Sequence, residues 1–377
     1  MRSPFLLGLL ALACCTSSGF DEVGPSSRGA GDEGPGANAA NDIDGGSSDD
    51  ADGSPPKADG PEGPGTGLSA RYPNDVGIAS DPNVIFYSGF ESDFAGWSYH
   101  TPDPTLLAVQ SDAGLANGGA KYLRASVSRT RLAASSYVSA AAQFEFPQRV
   151  PVAYWRFYAR FVGNSATPHH WVRVGAGNAS YVSDGLANTV PAGDRGFWFD
   201  LDANDAGIFN LYVYWHQMRS SRCNDGSAVP GCAGDQGRTN YYGNIFSPSG
   251  QTAFPRDQWF CIEIMTKANT VGQHDGELAV YRNDVLVGEY KPGAPRGRWL
   301  RSSFHTWGPY FIDQGPFEGF DFRTSNEVAV KRVTLDAYYE RGSLDARIAN
   351  GLDAPETQTI LYDDVVVATK RIGCKSK

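Results

Sequence analysis

The fold is decided by residues 259–290, which read WFCIEIMTKANTVGQHDGELAVYRNDVLVGEY. The opening residues alternate between two faces, a period of two that predicts a β-strand: Phe260, Ile262 and Ile264 on one face, and Trp259, Cys261, Glu263 and Met265 on the other. After the turn-forming residues 269–276, the runs ELAVYR and VLVGEY predict two further strands, joined by a tight turn at Asn283-Asp284. Because the first strand carries large apolar side chains on both faces, we predict an inner strand of a sandwich, which requires a second sheet.

The rest of the chain supplies many more runs of β-type composition, separated by short Gly, Pro, Asn or Asp breaks. Examples are YLRASVS, AYWRFYARFV, HHWVRVGAG, GFWFDLDA, IFNLYVYWHQ and EVAVKRVTLDAYYE. No stretch shows sustained helical periodicity. We therefore predict an all-β fold, a two-sheet antiparallel sandwich of the jelly-roll type, in residues 71–377. The long connections 178–195, 218–256 and 308–327 are expected to carry function.

The first residues predict export. Met1-Arg2 and the apolar run PFLLGLLALA form a basic start and a short hydrophobic core, which is too short to span a bilayer and typical of a signal peptide over residues 1–15. The sequence ALACC resembles a bacterial lipoprotein cleavage box, with Cys14 as the lipidated residue. A plain signal peptide is the alternative.

Residues 16–70 are rich in Gly, Ser, Pro, Ala and Asp and hold few large apolar side chains, so we predict a disordered linker that forms no core. The linker has eleven acidic residues against Arg28 and Lys57, a net charge of −9. When the linker's −9 and the +1 of Arg2 are removed from the whole-chain charge of −10, only −2 is left for residues 71–377. The nearly neutral domain, with no basic stripe, argues against a nucleic-acid partner.

Four cysteines lie in the predicted domain, and they allow three pairings. Cys223 and Cys232 bracket the turn-rich loop NDGSAVPG and form the favoured pair. Cys261 and Cys374 are left to pair over a long separation, which an oxidising compartment permits, or to remain as buried free thiols.

Several segments resemble a group of concanavalin-like jelly rolls that contains glucuronan lyases, alginate lyases and a cellulose-induced secreted fungal protein. They are Phe90-Glu91 with Trp97, YWRFYARF at 154–161, WFCIE at 259–263 followed by Asp275-Gly276-Glu277, and YDDV at 362–365 with RIGC at 371–374. The resemblance covers about residues 84–374 and implies a polysaccharide ligand. It also implies a Cys261–Cys374 disulfide and a structural calcium ion held by Glu91, Asn117 and Asp363 through hard oxygen ligands. The alternative is that Glu91 and Asp363 only cap strand ends.

A lyase of uronic-acid polymers must neutralise the substrate carboxylate, remove the C5 proton and protonate the leaving oxygen. Alternation predicts one open face with Arg156, Tyr158 and Arg160. His170 starts the next strand, and Tyr212, Tyr214 and His216 share a face of the run NLYVYWH. We assign catalysis to His170, Tyr214 and Tyr158, and substrate binding to Arg156, Arg160, His216, Trp198 and Trp307. The alternative is that these side chains only decorate a solvated face.

Other chemical signals are weaker. Asp200 and Asp202 share a face with Trp198, as a carboxylate pair of a glycosidase would, but we expect them to ligate an ion or bond loop amides. His169 and His170 are strand neighbours that should point in opposite directions, which argues against a shared metal. Phosphate-loop and nucleophile-elbow motifs are missing from the sequence.

Three hypotheses follow from the sequence. The first is a polysaccharide lyase, and the second is a non-catalytic carbohydrate-binding module in which Trp171, Trp198, Trp215 or Trp307 stacks on sugar rings. The third is a structural envelope protein. In each case we expect an exported protein at the outer membrane or cell surface, or free in the periplasm or medium. Its membrane contact would be the lipid anchor alone, and the polysaccharide is expected to be acidic.

Overall fold

The computed structural model describes residues 67–181, 187–203, 208–222, 240–306 and 315–375. The predicted signal peptide, most of the predicted linker, Cys14, Cys223, Cys232 and Trp307 lie outside the described residues. The strands are β1 Val84–Ser88, β2 Tyr99–His100, β3 Leu107–Ser111, β4 Lys121–Ser128, β5 Tyr137–Val138, β6 Ala141–Val150, β7 Val152–Phe161, β8 His170–Gly177, β9 Gly196–Ala203, β10 Phe209–Tyr214, β11 Asn244–Ser247, β12 Phe260–Lys267, β13 Glu277–Arg282, β14 Val285–Tyr290, β15 Arg296–Leu300, β16 Ser303–His305, β17 Gly315–Pro316, β18 Ala329–Glu340 and β19 Thr357–Ala368. The helices are α1 Arg129–Ala133 and α2 Arg341–Ala349, and three short 3₁₀ turns lie at Leu68–Ala70, Pro73–Asp75 and Ile78–Ser80.

The strands form two sheets. The first sheet has the order β14-β13-β12-β7-β19-β4-β3, with β1 also paired to β19. The second sheet has the order β17-β15-β16-β11-β10-β9-β8-β18-β6-β2, with β5 also paired to β18. The pairing is antiparallel except between β11 and β16 in the described residues. The predicted all-β sandwich is confirmed.

Aromatic side chains from both sheets fill the space between them. Phe157 and Phe161 of the first sheet contact Trp171 of the second at ring-centroid distances of 5.7 and 5.5 Å. Tyr362 is fully buried in the same layer, and its hydroxyl donates to the carbonyl oxygens of Trp171 and Asp336 across the interface. The inward side chains of β7 and β8 therefore hold the sheets together, and the alternate side chains point outward.

The predicted meander is confirmed as β12, β13 and β14. Asn283 and Asp284 adopt φ values of 51° and 65°, as a tight hairpin turn of two left-handed residues requires. Glu263 on the outward face of β12 is fully buried, and its carboxylate accepts hydrogen bonds from the backbone N–H groups of Ile372 and Gly373. The C-terminal segment therefore covers this strand, and the Cys261–Cys374 disulfide that the resemblance implied joins the two.

Two short helices were not predicted from the sequence. α2 has nine residues, of which Leu344 and Arg347 are buried, so it is too short to show a sustained helical period. α1 has five residues and begins after Ser128, whose side chain accepts a hydrogen bond from the N–H of Arg131. No helix in the described part of the chain is long and apolar enough to cross a membrane.

Residues 67–81 pack on the outer face of the first sheet. Leu68 and Ile78 form a small apolar cluster with Val366 and Ala368 of β19 and with Ile372. The N–H groups of Leu68 and Ser69 donate to the carbonyl oxygens of Arg371 and Ile372. Residues 67–70, which were predicted to belong to the linker, are therefore packed on the domain, because Leu68 buries its side chain against the C-terminal segment.

Candidate functional site

The outer face of the second sheet carries a group of polar and aromatic side chains on neighbouring central strands. β8, β9 and β10 lie side by side, and their registers place Asp200 next to Arg173 and Tyr212, and Trp198 next to Tyr214. Because the alternate residues Phe197, Phe199 and Leu201 fill the space between the sheets, these side chains lie on the other face of the sheet, where Trp198 and Tyr214 are also buried, at 3% and 2% exposure. We call this group the tyrosine face: His170, Arg173, Trp198, Asp200, Tyr212 and Tyr214.

An ionic network occupies one end of the tyrosine face. Nδ1 of His170 lies 2.6 Å from Oδ1 of Asp202 and 3.2 Å from Oδ2 of Asp200. The guanidinium group of Arg173 donates to both carboxylate oxygens of Asp200, at 2.9 and 3.3 Å. Asp336 on β18 lies 3.9 Å from Arg173. The carboxylates are thus held by the two basic side chains, and in the described residues neither accepts a hydrogen bond from a loop amide, so of the two expected roles only ion ligation stays a prediction.

Burial and charge pairing change the acid–base properties of this network. Burial opposes the charged form of the His170 ring, but Asp202 and Asp200 outweigh this effect and raise the pKa of His170 to about 9. Burial also raises the pKa of Asp200 to about 6, although Arg173 acts in the opposite direction. The network therefore favours a protonated imidazole between two carboxyl groups.

Aromatic rings form the other half of the tyrosine face. Trp198 stacks on Tyr214 with a centroid distance of 4.8 Å, and the Arg173 guanidinium lies 4.9 Å from the Trp198 ring. The hydroxyl oxygens of Tyr212 and Tyr214 are 3.3 Å apart. The Tyr212 ring lies 5.5 Å from the His170 ring, and burial raises the pKa of Tyr212 well above its usual range. Two phenols therefore share a hydrogen bond beside an imidazole.

His216 lies beyond Tyr214, at the end opposite to His170. Its Nε2 atom is 3.5 Å from Oδ2 of Asp321, which also accepts a hydrogen bond from Gln217 at 2.7 Å. The half-buried His216 ring packs against Gly193, where a Cβ atom would come within 2.8 Å of it. The registers of β8, β9 and β10 therefore place His170, Trp198 and Tyr214 on one side of the second sheet, and His216 follows the end of β10.

The predicted partners on β7 are not in this site. Arg156, Tyr158 and Arg160 do share a face, but it is the outer face of the first sheet, on the opposite side of the molecule from the tyrosine face. Arg156 is fully buried and pairs with Asp75 at 2.6 Å, and the Tyr158 hydroxyl accepts a hydrogen bond from the N–H of Lys375. The prediction of one open groove formed by both sets is therefore wrong, because the terminal segments cover β7.

The tryptophans proposed as stacking platforms are covered as well. Trp171 is fully buried in the core, Trp215 is 5% exposed, and Trp198 is 3% exposed beneath Tyr214 and Arg173. Trp307 lies outside the described residues. The described candidates therefore support the protein fold and leave no indole face open to a sugar ring.

Calcium was expected between Glu91, Asn117 and Asp363. Oδ2 of Asp363 accepts the N–H groups of Asn117 and Gly118, and the Asn117 side-chain amide donates to Asp364. Burial and the neighbouring carboxylate of Asp364 raise the pKa of Asp363 to about 8. Glu91 instead accepts the N–H groups of residues 120 and 121. The structure thus brings Asn117 and Asp363 together and holds Glu91 at the other end of the same loop.

The carboxylates of Asp363 and Asp364 supply part of what a bound cation requires. Asp363 and Asp364 are both buried, and Lys375 lies 2.9 Å from Asp364 as the ammonium partner of the pair. Gly118 allows the close approach, since a Cβ atom there would come within 2.4 Å of the lysine Nζ and 2.8 Å of an Asp364 oxygen. Two adjacent carboxylates and an amide oxygen are the hard donors that calcium prefers.

Arg173 was missed in the sequence. Strict alternation from His170 places Val172 and Val174 on its face, but a register shift between His170 and Val172 moves Arg173 there. The positions of the two adjacent histidines also differ from the expectation. His169 lies before the strand, and its ring centroid is 4.2 Å from that of His170. The expectation that the two rings point apart is therefore wrong.

No protein-family model and no curated protein matches the chain. Solved structures that match include an endo-β-1,4-glucuronan lyase from the fungus Trichoderma reesei, with 11% identity over 76% of this chain and 95% of that chain and a TM-score of 0.43. The alginate lyase vAL-1 from a Chlorella virus has 13% identity over 76% and 99% of the two chains and a TM-score of 0.46. The cellulose-induced protein Cip1 has 13% identity over 77% and 99% and a TM-score of 0.40. These structures are of the same jelly-roll group of lyases and lyase-like proteins that the sequence resembles.

Proposed function

We propose that the protein acts on a polysaccharide at the tyrosine face, as a lyase that cleaves a uronic-acid polymer by β-elimination. The observation that carries this proposal is the pair of phenol oxygens of Tyr212 and Tyr214, 3.3 Å apart and next to His170. A hydrogen-bonded pair of proton carriers suits chemistry that needs one proton removed and one delivered.

The reaction balances without a cofactor. In this scheme Tyr214 acts as a phenolate and accepts the C5 proton of the uronic acid, the C–H electron pair forms the C4–C5 double bond, and the C4–O bond breaks. The leaving oxygen takes a proton from the protonated His170 imidazole. In this proposal Tyr214 and His170 keep the catalytic roles inferred from the sequence, and Tyr212 takes the role that Tyr158 had. Arg173 takes over from Arg156 and Arg160 as the arginine that attracts the substrate carboxylate.

The test is turnover on a panel of uronic-acid polymers, followed by absorbance of the unsaturated product. We expect Tyr214→Phe to lower turnover by about 10²- to 10⁴-fold, because a proton carrier is lost, while polymer binding persists. Tyr99→Phe is the matched control, since Tyr99 is 49% exposed at the edge of the same sheet. Unchanged turnover in Tyr214→Phe contradicts the mechanism.

The same experiment separates the alternatives. A wild-type protein that binds polymer and releases no unsaturated ends is a non-catalytic binding module. A protein that binds neither uronic-acid nor neutral polymers is structural.

We also propose that the protein is exported and anchored through a lipid on Cys14, with a structural calcium ion held by Asp363 and Asn117. The disulfide between Cys261 and Cys374 supports an oxidising compartment, since such bonds are rare in reducing cytosol. Calcium is supported by the buried pair of Asp363 and Asp364, which has only one lysine against it among the described residues. When bound, the ion would supply positive charge between the start and the end of the domain.

A further inference from the structure

The geometry points to a divalent transition-metal site, of the kind that binds zinc, formed by His169, His170 and Asp202. One ligand atom from each of the three side chains lies within 4.8 Å of the other two, and this is the one such group of three among the described residues. Zinc bonds to imidazole nitrogen and carboxylate oxygen are about 2.0–2.2 Å long, which puts ligand atoms roughly 3.4 Å apart around a tetrahedral ion. To reach that spacing, Nδ1 of His170 and Oδ1 of Asp202 must move apart from their 2.6 Å contact, and the metal must displace the proton that they share.

The donor set selects the metal. Two imidazoles and one carboxylate are the ligands of zinc and its neighbours in the first transition row, whereas calcium takes six to eight oxygen ligands. The site therefore differs in chemistry from the carboxylate pair at Asp363. Copper binds such ligands more tightly than zinc, so we expect copper to displace zinc from the site. Zinc is the reference ion in the experiment below.

The three ligands are positioned by the sheet. His170 and Asp202 are directly paired across β8 and β9, and Nδ1 of His170 already lies 2.6 Å from Oδ1 of Asp202. The N–H of His169 donates to the carbonyl oxygen of Tyr338 at 2.8 Å, which fixes the backbone just before β8. The bidentate contact of Arg173 is made to Asp200, so the guanidinium group is held on the neighbouring carboxylate. Fixed ligand positions lower the cost of organising a site.

The surroundings leave room for a further ligand. His169, His170 and Asp202 are each partly exposed, and the side chains of His170 and Asp202 keep 15% of their surface accessible. His169 also lines a small cavity of about 20 Å³ with Tyr339 and Glu340. A cavity of that size holds one water molecule. Three protein ligands with an open position are the pattern of zinc sites that bind water or an exogenous ligand.

This site goes beyond the proposed lyase activity, although it shares His170 with the tyrosine face. Metal binding needs no polymer and is measured without turnover. A failure of the metal proposal therefore leaves the lyase proposal intact, and the reverse also holds.

The experiment is calorimetric titration of the metal-stripped full chain with Zn²⁺. We expect one ion per chain at this site, at least tenfold weaker binding in His169→Ala and in Asp202→Asn, and no competition from Ca²⁺. Acidic or thiol groups elsewhere that bind zinc do so equally in all variants, so the difference between variants is the readout. His100→Ala is the matched control, because the exposed His100 lies on the same sheet but stacks on Phe94.

Thermal melting of each variant without metal shows whether the fold is retained. If His169→Ala does not fold, Asp202→Asn carries the test. Zinc should also raise the melting temperature of the wild type and not that of the ligand variants, because an ion that binds only the folded state stabilises it. Wild-type protein that binds no zinc, or folded ligand variants that bind it with wild-type affinity, overturn the proposal.

Discussion

Arg156 and Asp75 form an ion pair in which both side chains are fully buried. Among the described residues, the Nε and NH1 atoms of Arg156 have no hydrogen-bond partner, so the pair is only partly satisfied. Arg156→Met should lower the free energy of unfolding by about 3–5 kcal/mol, because it leaves the Asp75 carboxylate buried without its counter-charge. Chemical denaturation measures the change.

Arg160→Met on the same face of β7 is the control, since Arg160 is 4.0 Å from the exposed Asp257 and its loss should cost about 1 kcal/mol or less. Adding Asp75→Asn to Arg156→Met should recover part of the lost stability. Equal stabilities of wild type and Arg156→Met would show that the pair contributes nothing.

The alternation of polar and apolar residues in β7 correctly predicted which way Arg156 points, and it could not predict what lies above it. That depends on Asp75, which lies in a short 3₁₀ segment near the linker and carries no periodic signal. An exposed arginine and a buried arginine give the same alternation of polar and apolar residues in the sequence of a strand. The role of Arg156 was therefore misread although its direction was right.

At the level of elements, the loop at residues 117–121 is held by acidic side chains from distant parts of the chain. Asp363 binds its first two amides and Glu91 its last two. A calcium ion at Asp363 and Asn117 would add to this closure. We expect chelation to lower the melting temperature by about 5 °C, if calcium at a hundredfold excess contributes about 2.7 kcal/mol.

Asp363→Ala should melt lower than wild type with or without chelator and show no further shift. Asp112→Ala is the matched control, because the exposed Asp112 lies in the hairpin of β3 and β4 that contains this loop. In the described chain its carboxylate accepts a hydrogen bond only from the N–H of Gly114. A wild-type melting curve that chelator leaves unchanged removes calcium from the protein.

The elements themselves were largely predictable, because β12 to β14 combine strict alternation with a turn pair at Asn283-Asp284. The tyrosine face was half predictable: Tyr212 and Tyr214 follow the period of two along β10. Arg173 was not, because a register shift after His170 changes which residues share a face, and such a shift leaves no mark in composition.

For the whole molecule, the prediction concerns attachment. Cys14→Ser should move the protein from the membrane fraction to the soluble fraction, because the lipid is the only anchor proposed. Cys15→Ser is the matched control and should remain with the membranes. Quantitative immunoblotting of the two fractions measures the ratio. If both variants fractionate like wild type, the anchor assignment is wrong.

The chain enters the folded domain at Gly67, where Leu68 packs against Ile372 on the outer face of the first sheet. The tyrosine face lies on the outer face of the second sheet, with the full thickness of the sandwich between them. In the anchored, polymer-binding protein that we propose, residues 67–81 and the tyrosine face would therefore occupy opposite faces of the sandwich. A polymer bound at the proposed site would then not contact residues 67–81.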